Sequence, residues 1–177
     1  EQHRSTMERL AGLLPVIGQC ADKVTEVLLA GGRVFICGNG GSAADAQHFA
    51  AELTNRFETE RRGYPAIALT TDSSALTAIG NDFGFEHLFS RQLEALASPG
   101  DLLIAISTSG NSANVLKAVE AADKMKVFTV GLLGRDGGAL TGAVNLPLVV
   151  NASRPARIQE AHIFILHVLC EWFEARL

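Results

Sequence analysis

Residues 37–52 read CGNGGSAADAQHFAAE and directly follow the apolar run Val-Phe-Ile at residues 34–36. An apolar run, then glycines, then helical spacing predicts a buried strand, a tight turn and a helix. Residues 107–112, STSGNS, follow the apolar run at 102–106 in the same way. Such turns bring backbone N–H groups and small hydroxyls to one edge of a sheet, where an anion can bind. Both turns are therefore candidates for one ligand site.

The remainder of the chain alternates apolar runs with segments of helical spacing. The predicted strands are residues 34–37, 65–69, 102–106, 127–132 and 146–150. The predicted helices are residues 3–30 with a break near Pro15, then 42–57 capped by Ser42, 72–79, 85–97, 111–124 and 155–174, with a loop at 80–84. This alternation predicts an α/β fold with a five-stranded parallel sheet. We expect one domain over 1–177, with a helical arm at 1–31 and an α/β core at 32–177.

The composition excludes several classes of protein. The 177 residues are 47% hydrophobic and 19% charged, which is typical of a globular chain. A net charge of −4 with scattered basic residues gives no footprint for nucleic acid, so no nucleic-acid partner is expected. No apolar run approaches the roughly 18 residues that span a bilayer, and no signal-peptide layout is present, so no membrane association is expected. Three cysteines without short spacing favour the reducing cytoplasm.

The glycine loop at residues 38–42, GNGGS, resembles a dinucleotide-binding turn only in part. That function needs G-x-G-x-x-G and an acidic residue about 20 residues further on, at the end of the second strand. Ala43 stands at the third glycine position, and residues 68–70 are Ala-Leu-Thr. The loop therefore does not favour NAD binding. The alternative is a tight strand-to-helix turn that needs glycine for its backbone.

The second loop carries hydroxyls at Ser107, Thr108, Ser109 and Ser112. Short O–H donors in this number can surround a phosphate, and the following helix N-terminus adds a favourable dipole. Gly110 lets the backbone turn close to a ligand. Ordinary helix capping is the alternative, but it needs one hydroxyl and not four. The loop lacks the lysine of a P-loop, which disfavours nucleoside triphosphate hydrolysis.

Two predicted helices carry polar residues that suit a metal or acid–base chemistry. His48 and Glu52 are four residues apart on one helix face, and Gln159 and His167 share a face of the final helix. His162 lies about 60° from Gln159 and is the less certain candidate. An exposed ion pair or a core histidine is the alternative. If the two helices meet, His48, Glu52, Gln159 and His167 together offer two nitrogen and two oxygen ligands. This set suits zinc or a similar metal.

Five segments in combination resemble the sugar-isomerase (SIS) domain family. They are CGNGGSAADAQHFAAEL at 37–53, AIGNDFGF at 78–85, ISTSGNSANV at 106–115, LLGRDGG at 132–138 and ARIQEAHIFILH at 156–167. The resemblance covers almost the whole chain from Gly31, and the earlier residues resemble the family only as a helical arm. It implies a flavodoxin-like three-layer sandwich. It also implies conversion of sedoheptulose 7-phosphate to D-glycero-D-manno-heptose 7-phosphate, toward activated heptose for lipopolysaccharide.

The same resemblance implies roles for individual residues. The implied substrate contacts are Asn39, Gly40, Gly41, Glu52, Asn81, Asp82, Ser107, Thr108, Ser109, Ser112 and Gln159. The implied ligands of one zinc ion per subunit are His48, Glu52, Gln159 and His167. The implied catalytic pair is Glu52 and His167, which transfer protons through an enediol. The family further implies a cytoplasmic homotetramer with sites between subunits, so Asn81 and Asp82 are candidates for a neighbour's pocket.

Three alternatives to this isomerase remain. The first is a catalytically inactive SIS-domain protein that binds the replication initiator; there the resemblance implies loss of the acid–base pair, whereas this chain has Glu52 and His167. The second is a sugar-phosphate-sensing regulator, which usually carries a DNA-binding domain. The third is an isomerase of another phosphosugar. Arg56 and Arg135 are candidates to assist with anions, but a surface or interface charge is the favoured interpretation of each.

Overall fold

The computed structural model describes all 177 residues and contains one sheet of five parallel strands. The strands are β1 (Val34–Cys37), β2 (Ala66–Ala68), β3 (Leu102–Ser107), β4 (Phe128–Gly134) and β5 (Leu146–Val150). They lie in the order β2-β1-β3-β4-β5, with Val34 of β1 opposite Ala66 of β2 and Leu102 of β3. The chain thus winds outward from β1 to β2 and then returns to β3 on the other side of β1. This order confirms the predicted flavodoxin-like sheet.

Seven α-helices surround the sheet. They are α1 (Gln2–Arg9), α2 (Leu14–Leu29), α3 (Gly41–Thr54), α4 (Ser73–Phe83), α5 (Ser90–Leu96), α6 (Ala113–Lys124) and α7 (Pro155–Glu174), with short 3₁₀ helices at Leu10–Leu13, Phe85–His87 and Gly138–Gly142. Pro155 occupies the first turn of α7, where its missing N–H is not needed. No helix in the structure combines the length and the apolar character needed to cross a membrane.

The core is divided into two layers by the sheet. On one face, Val34 and Ile36 of β1 belong to a cluster with side chains of α2, α3 and α7, including Phe173. On the other face, Phe35 and Cys37 pack with side chains of α5 and α6. Alternate residues of a strand point to opposite faces, so one strand serves both layers. The three-layer arrangement is as predicted, and it places α3 beside α7 on the same face.

Several predicted boundaries were wrong. The helix α3 begins at Gly41 with Gly40 as its N-cap at φ 55°, and Ser42 is buried in the first turn without a capping bond. Only glycine adopts this φ at low cost, so the second residue of the GG pair starts the helix. The helix α4 continues to Phe83 and stops at Gly84, whose φ is 93°. The predicted loop at 80–84 is therefore mostly helical.

Polar contacts hold the helical arm against the rest of the chain. His3 contacts Glu160 of α7 at 2.7 Å, and Arg9 donates to the Asn151 carbonyl at 2.9 Å. The predicted break of the arm falls at Leu10–Leu13, just before Pro15. The arm therefore lies against α7 and the end of β5.

Candidate functional site

The carboxyl ends of β1 and β3 are neighbours, and the chain leaves them in opposite directions. This is the switch point at which open parallel sheets bind ligands. Asn39 after β1 and Asn114 in α6 exchange two amide hydrogen bonds, each 2.8 Å long. Asn114 is 2% exposed. The reciprocal pair therefore fixes the glycine loop beside the STSGNS loop, and sequence analysis did not identify it.

The hydroxyls of the STSGNS loop converge on one point. The Ser107 Oγ lies 3.0 Å from the Ser112 Oγ and 3.4 Å from the Ser109 Oγ, and it accepts from the Gly110 N–H at 3.0 Å. Ser112 is the N-cap residue of α6, but its side chain makes no capping bond. Three hydroxyls thus cluster in front of a helix N-terminus, an arrangement suited to an anion. Thr108 lies in the same loop, between Ser107 and Ser109 in sequence, and is half-buried.

A second loop supports this cluster from behind. Gly110 has a φ of 67°, and a Cβ at this position would collide with the Gly137 carbonyl. The Asn111 side chain accepts from the Ala139 N–H at 3.0 Å, so it faces the neighbouring loop. The segment LLGRDGG therefore shapes the hydroxyl cluster through its backbone. Arg135 in that segment has a φ of 58° and is exposed.

The helices α3 and α7 run parallel and in register along the site. The Gln159 side chain lies over Gly41, where a Cβ would collide with its amide. His48 meets His167 about two turns further along both helices. Because both contacts join residues 118 or 119 positions apart, the two helices advance together. The structure thus brings the predicted pair of helices into contact.

His48, Glu52 and His167 form a compact group of donor atoms. The Nε2 atoms of His48 and His167 are 3.0 Å apart, and the His48 Nε2 is 3.1 Å from the Glu52 Oε1. The three donor atoms lie within 4.8 Å of one another. The side chain of His48 is 45% exposed and that of Glu52 is 23% exposed, so the group is open to solvent on one side.

The other predicted site residues have different surroundings. Gln159 is half-buried and lies beside Gly41, two turns before His167. Asn81 and Asp82 are exposed near the end of α4, where the Asn81 amide donates to the Asp82 carboxylate at 2.7 Å. His162 is fully buried and contacts the Leu133 carbonyl at 3.2 Å. Burial lowers the pKa of His162 to about 4, so it is a neutral core histidine and not a site residue.

Two residues near the group were missed. Asp45 lies one turn before His48. Burial raises the pKa of Asp45 to about 6, although the positive charge of His48 acts to lower it. Its Oδ2 atom is buried without a hydrogen-bond partner. The phenyl ring of Phe57 packs on the His167 ring with centroids 5.5 Å apart. The three-residue spacing of Asp45 and His48 was a usable signal, whereas nothing in the sequence relates Phe57 to His167.

Comparison with known proteins gives one consistent family. The chain matches the SIS domain family over residues 1–134. It is 57% identical to the phosphoheptose isomerase of Campylobacter concisus over 171 residues, covering 97% of this chain and 90% of that protein. The structure of the phosphoheptose isomerase from Neisseria gonorrhoeae superposes with a TM-score of 0.93 at 47% identity, covering 99% of this chain and 94% of the other. That from Francisella tularensis gives a TM-score of 0.91 at 40% identity, covering 97% and 94%.

Proposed function

The chain belongs to the SIS domain family and, within it, to the phosphoheptose isomerases, and on this premise we propose that it converts sedoheptulose 7-phosphate to D-glycero-D-manno-heptose 7-phosphate. One observation carries the proposal. The group of His48, Glu52 and His167 lies on α3 and α7, and α3 begins in the loop that the Asn39–Asn114 pair joins to the hydroxyl cluster. The acid–base groups and the proposed anion site thus both lie at the carboxyl edge of the sheet.

The isomerisation moves a proton between C1 and C2 of the sugar through an enediol. It needs a base at the carbon and an acid–base partner at the two oxygens. We assign the carbon proton to the Glu52 carboxylate and the oxygen protons to the His167 imidazole. Both side chains are half-buried, which shields a bound enediol from bulk water on one side.

The phosphate is assigned to the STSGNS loop. The hydroxyls of Ser107, Ser109 and Ser112 would turn from one another toward the phosphate oxygens, and Thr108 would add a fourth donor. The sugar hydroxyls are assigned to Asn39, Gly40, Gly41 and Gln159. The contact of Gln159 with Gly41 supports this assignment, because it puts an amide beside the glycine loop.

The donor group also fits a zinc ion. Tetrahedral zinc with bonds of about 2.0–2.1 Å keeps its ligand atoms about 3.3 Å apart. The separations of 3.0 and 3.1 Å at the His48 Nε2 are close to that value. His48, Glu52 and His167 would hold the ion, one per subunit. Gln159 is the fourth proposed ligand, and its amide would have to turn from Gly41 toward the group to bind the same ion. When bound, the metal supplies a Lewis acid for the substrate carbonyl.

Glu52 carries two proposed roles, as a ligand and as a base. A carboxylate has two oxygens, so one oxygen can face a metal while the other holds the proton. His167 has a similar conflict, because its Nε2 is the atom nearest to His48. The acid–base roles and the ligand roles of these two residues are therefore separate proposals.

The assembly and setting of the enzyme are also proposals. We propose a homotetramer with sites between subunits, in which the exposed Asn81 and Asp82 serve a neighbour's pocket. Three free, buried cysteines support a reducing cytoplasm, and the product would enter heptose synthesis for lipopolysaccharide. We further propose that residues 1–177 act as one SIS domain, because the arm at 1–31 contacts α7.

The test is direct turnover by the purified protein. Incubation with sedoheptulose 7-phosphate should yield D-glycero-D-manno-heptose 7-phosphate, and a chelator followed by zinc should remove and restore the yield if the metal proposal holds. Fructose 6-phosphate is the control for an isomerase of another phosphosugar. Absence of heptose product with zinc restored would contradict the proposed function. The alternative of an inactive initiator-binding protein has no support among the relatives described above.

A further inference from the structure

The carboxylate of Glu174, at the end of α7, binds the segment that follows α3. Its Oε1 accepts from the Phe57 N–H at 3.0 Å, and its Oε2 accepts from the Glu58 and Thr59 N–H groups at 3.1 and 2.8 Å. The Thr59 hydroxyl donates to the same Oε2 at 2.6 Å. One side chain of α7 thus fixes three consecutive backbone N–H groups beyond α3.

The guanidinium of Arg61 binds the end of α3 itself. Its Nη2 donates to the Glu52 carbonyl at 2.8 Å, and its Nη1 donates to the Leu53 carbonyl at 3.1 Å. These carbonyls lie in the last turn of α3, where no intrahelical partner is available. The Nε of Arg61 donates to the Glu174 Oε1 at 2.9 Å, which closes the link between the two helices.

The two side chains form a buried ion pair. Each is only 6% exposed, so each charge depends on the other and on the backbone groups around it. Such pairs contribute little net stability compared with an apolar pair of the same shape. Their fixed geometry is the more informative property, since five hydrogen bonds converge on the Glu174 carboxylate.

The Arg61–Glu174 pair is linked to both helices that carry the group of His48, Glu52 and His167. Arg61 holds the backbone of Glu52, a member of the group on α3. Glu174 holds the backbone of Phe57, whose ring packs on His167, the member on α7. The distance between the two helices at the site is therefore set from one end by this pair.

We propose that Arg61 and Glu174 are positioning residues that hold the imidazole of His167 at its working distance from His48 and Glu52. This proposal rests on the proposed function where it is tested by kinetics. Its test by metal binding does not depend on turnover. The hydrogen bonds of the two side chains go to backbone groups, to the Thr59 hydroxyl and to each other, and none goes to the donor atoms of His48, Glu52 or His167. Their effect passes through the backbone of Glu52 and the ring of Phe57.

The test compares Glu174→Gln with a matched control, Asp101→Asn. Asp101 is also a buried carboxylate, 4% exposed, that accepts from two backbone N–H groups and pairs with an arginine, Arg33. It lies before β3, at the opposite edge of the sheet from the site. Both variants should lose thermal stability, so the control removes the purely structural effect.

The readouts are Co²⁺ binding by the metal-free protein and steady-state kinetics. Glu174→Gln should weaken Co²⁺ binding, followed by its visible absorption, by about tenfold or more, as for other residues that orient ligands. Its kcat should fall by a similar factor while KM stays within about twofold, because the phosphate loop is held by other contacts. Asp101→Asn should leave Co²⁺ affinity and kcat within about twofold of the wild type.

Two results would overturn the proposal. One is Glu174→Gln that loses stability but keeps Co²⁺ affinity and kcat within twofold of the wild type. The other is an equal loss of Co²⁺ affinity in Asp101→Asn. If Glu174→Gln does not fold, Thr59→Val decides, because it removes one bond to Glu174: a loss of about threefold in affinity supports the proposal, and no change overturns it. Failure of the wild type to turn over the heptose phosphate would instead refute the proposed function and leave the Co²⁺ comparison valid.

Discussion

At the scale of single residues, the Glu52 side chain contributes little to the stability of the fold. Its carboxylate meets His48 at 3.1 Å and is partly exposed. We therefore expect Glu52→Gln to lower kcat by about 100- to 10,000-fold while the melting temperature changes little. His167→Ala should have the same effect. Glu120→Gln, which removes an exposed ion pair with Lys117, is the control and should keep full activity. Near-normal turnover by the Glu52 variant would refute its assignment as the base.

Ser109 is expected to act on binding and not on chemistry. Its hydroxyl is part of the cluster in front of α6, and a charge-assisted bond to phosphate contributes about 1.5–3 kcal/mol. Ser109→Ala should therefore raise KM for sedoheptulose 7-phosphate by about tenfold or more and change kcat less. Ser98→Ala, at the amino edge of the sheet, is the control. An unchanged KM in the Ser109 variant would count against the phosphate cradle.

The residues of the site differ in how visible they are in the sequence. His48 and Glu52 are one helical turn apart, and the serines lie in a six-residue run, so local spacing was enough to select them. Asn39 pairs with Asn114 across 75 positions, and Arg61 pairs with Glu174 across 113. Such partners have no local pattern, because only the folded chain brings them together.

At the scale of elements, the loop after β3 depends on glycine at one position. Gly110→Ala would place a side chain at a φ of 67° and against the Gly137 carbonyl, which is backbone and cannot move aside. Gly100→Ala meets a similar φ of 95° but no atom within 4 Å. We expect about 1 kcal/mol of destabilisation at Gly100 from the backbone conformation alone. Gly110→Ala should cost at least about 2 kcal/mol more. Equal midpoints in urea denaturation would contradict this comparison.

The elements themselves were largely predictable, and their ends were less so. Both β1 and β5 have the predicted bounds, because a short apolar run between polar turns leaves little choice. The end of α4 was misplaced because Gly-Asn-Asp is typical of a turn. In the structure, Asn81 and Asp82 bond to each other through their side chains, which leaves the helical backbone intact until Gly84.

At the scale of the whole molecule, acid stability should depend on Glu174. Burial would raise the pKa of Glu174, but hydrogen bonds from the Thr59 hydroxyl and from the N–H groups of residues 57–59 lower it to about 2. The ordinary pKa of a glutamate is 4.5. Between about pH 4.5 and 2 the carboxyl is therefore protonated in the unfolded state but still ionised in the native state. This contribution is complete above about pH 4.5 and is lost as the pH falls toward 2.

The measurement is the free energy of unfolding at several pH values. The difference between the wild type and Glu174→Gln should be largest at pH 6 and should shrink steadily as the pH falls to 3. His162 acts in a higher window, because its folded pKa of about 4 lies below the ordinary 6.5. Stability is lost as the pH falls below 6.5, because the unfolded His162 binds a proton that the folded one does not. The wild type and Glu174→Gln share this loss, so it cancels in the difference between them. A difference that is constant between pH 6 and 3 would show that the Glu174 carboxylate is not specially stabilised.

The overall architecture followed from alternation of strands and helices, but the meeting of α3 and α7 did not. Helical spacing selected the correct faces of both helices, with His48 and His167 on them. It did not give the side of the sheet on which each helix packs. That choice follows from the handedness of each crossover and the order of the strands, which only the complete sheet defines.

The contact of His48 with His167 spans 119 positions, and this distance has a consequence for synthesis on the ribosome. At about 5–20 residues per second, His167 is added about 6 to 24 seconds after His48. Throughout that interval the nascent chain carries His48 and Glu52, two members of the proposed metal-binding and acid–base group, without the third. With the roles proposed above, catalysis begins only when α7 docks on α3, so early folding of the first strands does not yet produce an active enzyme.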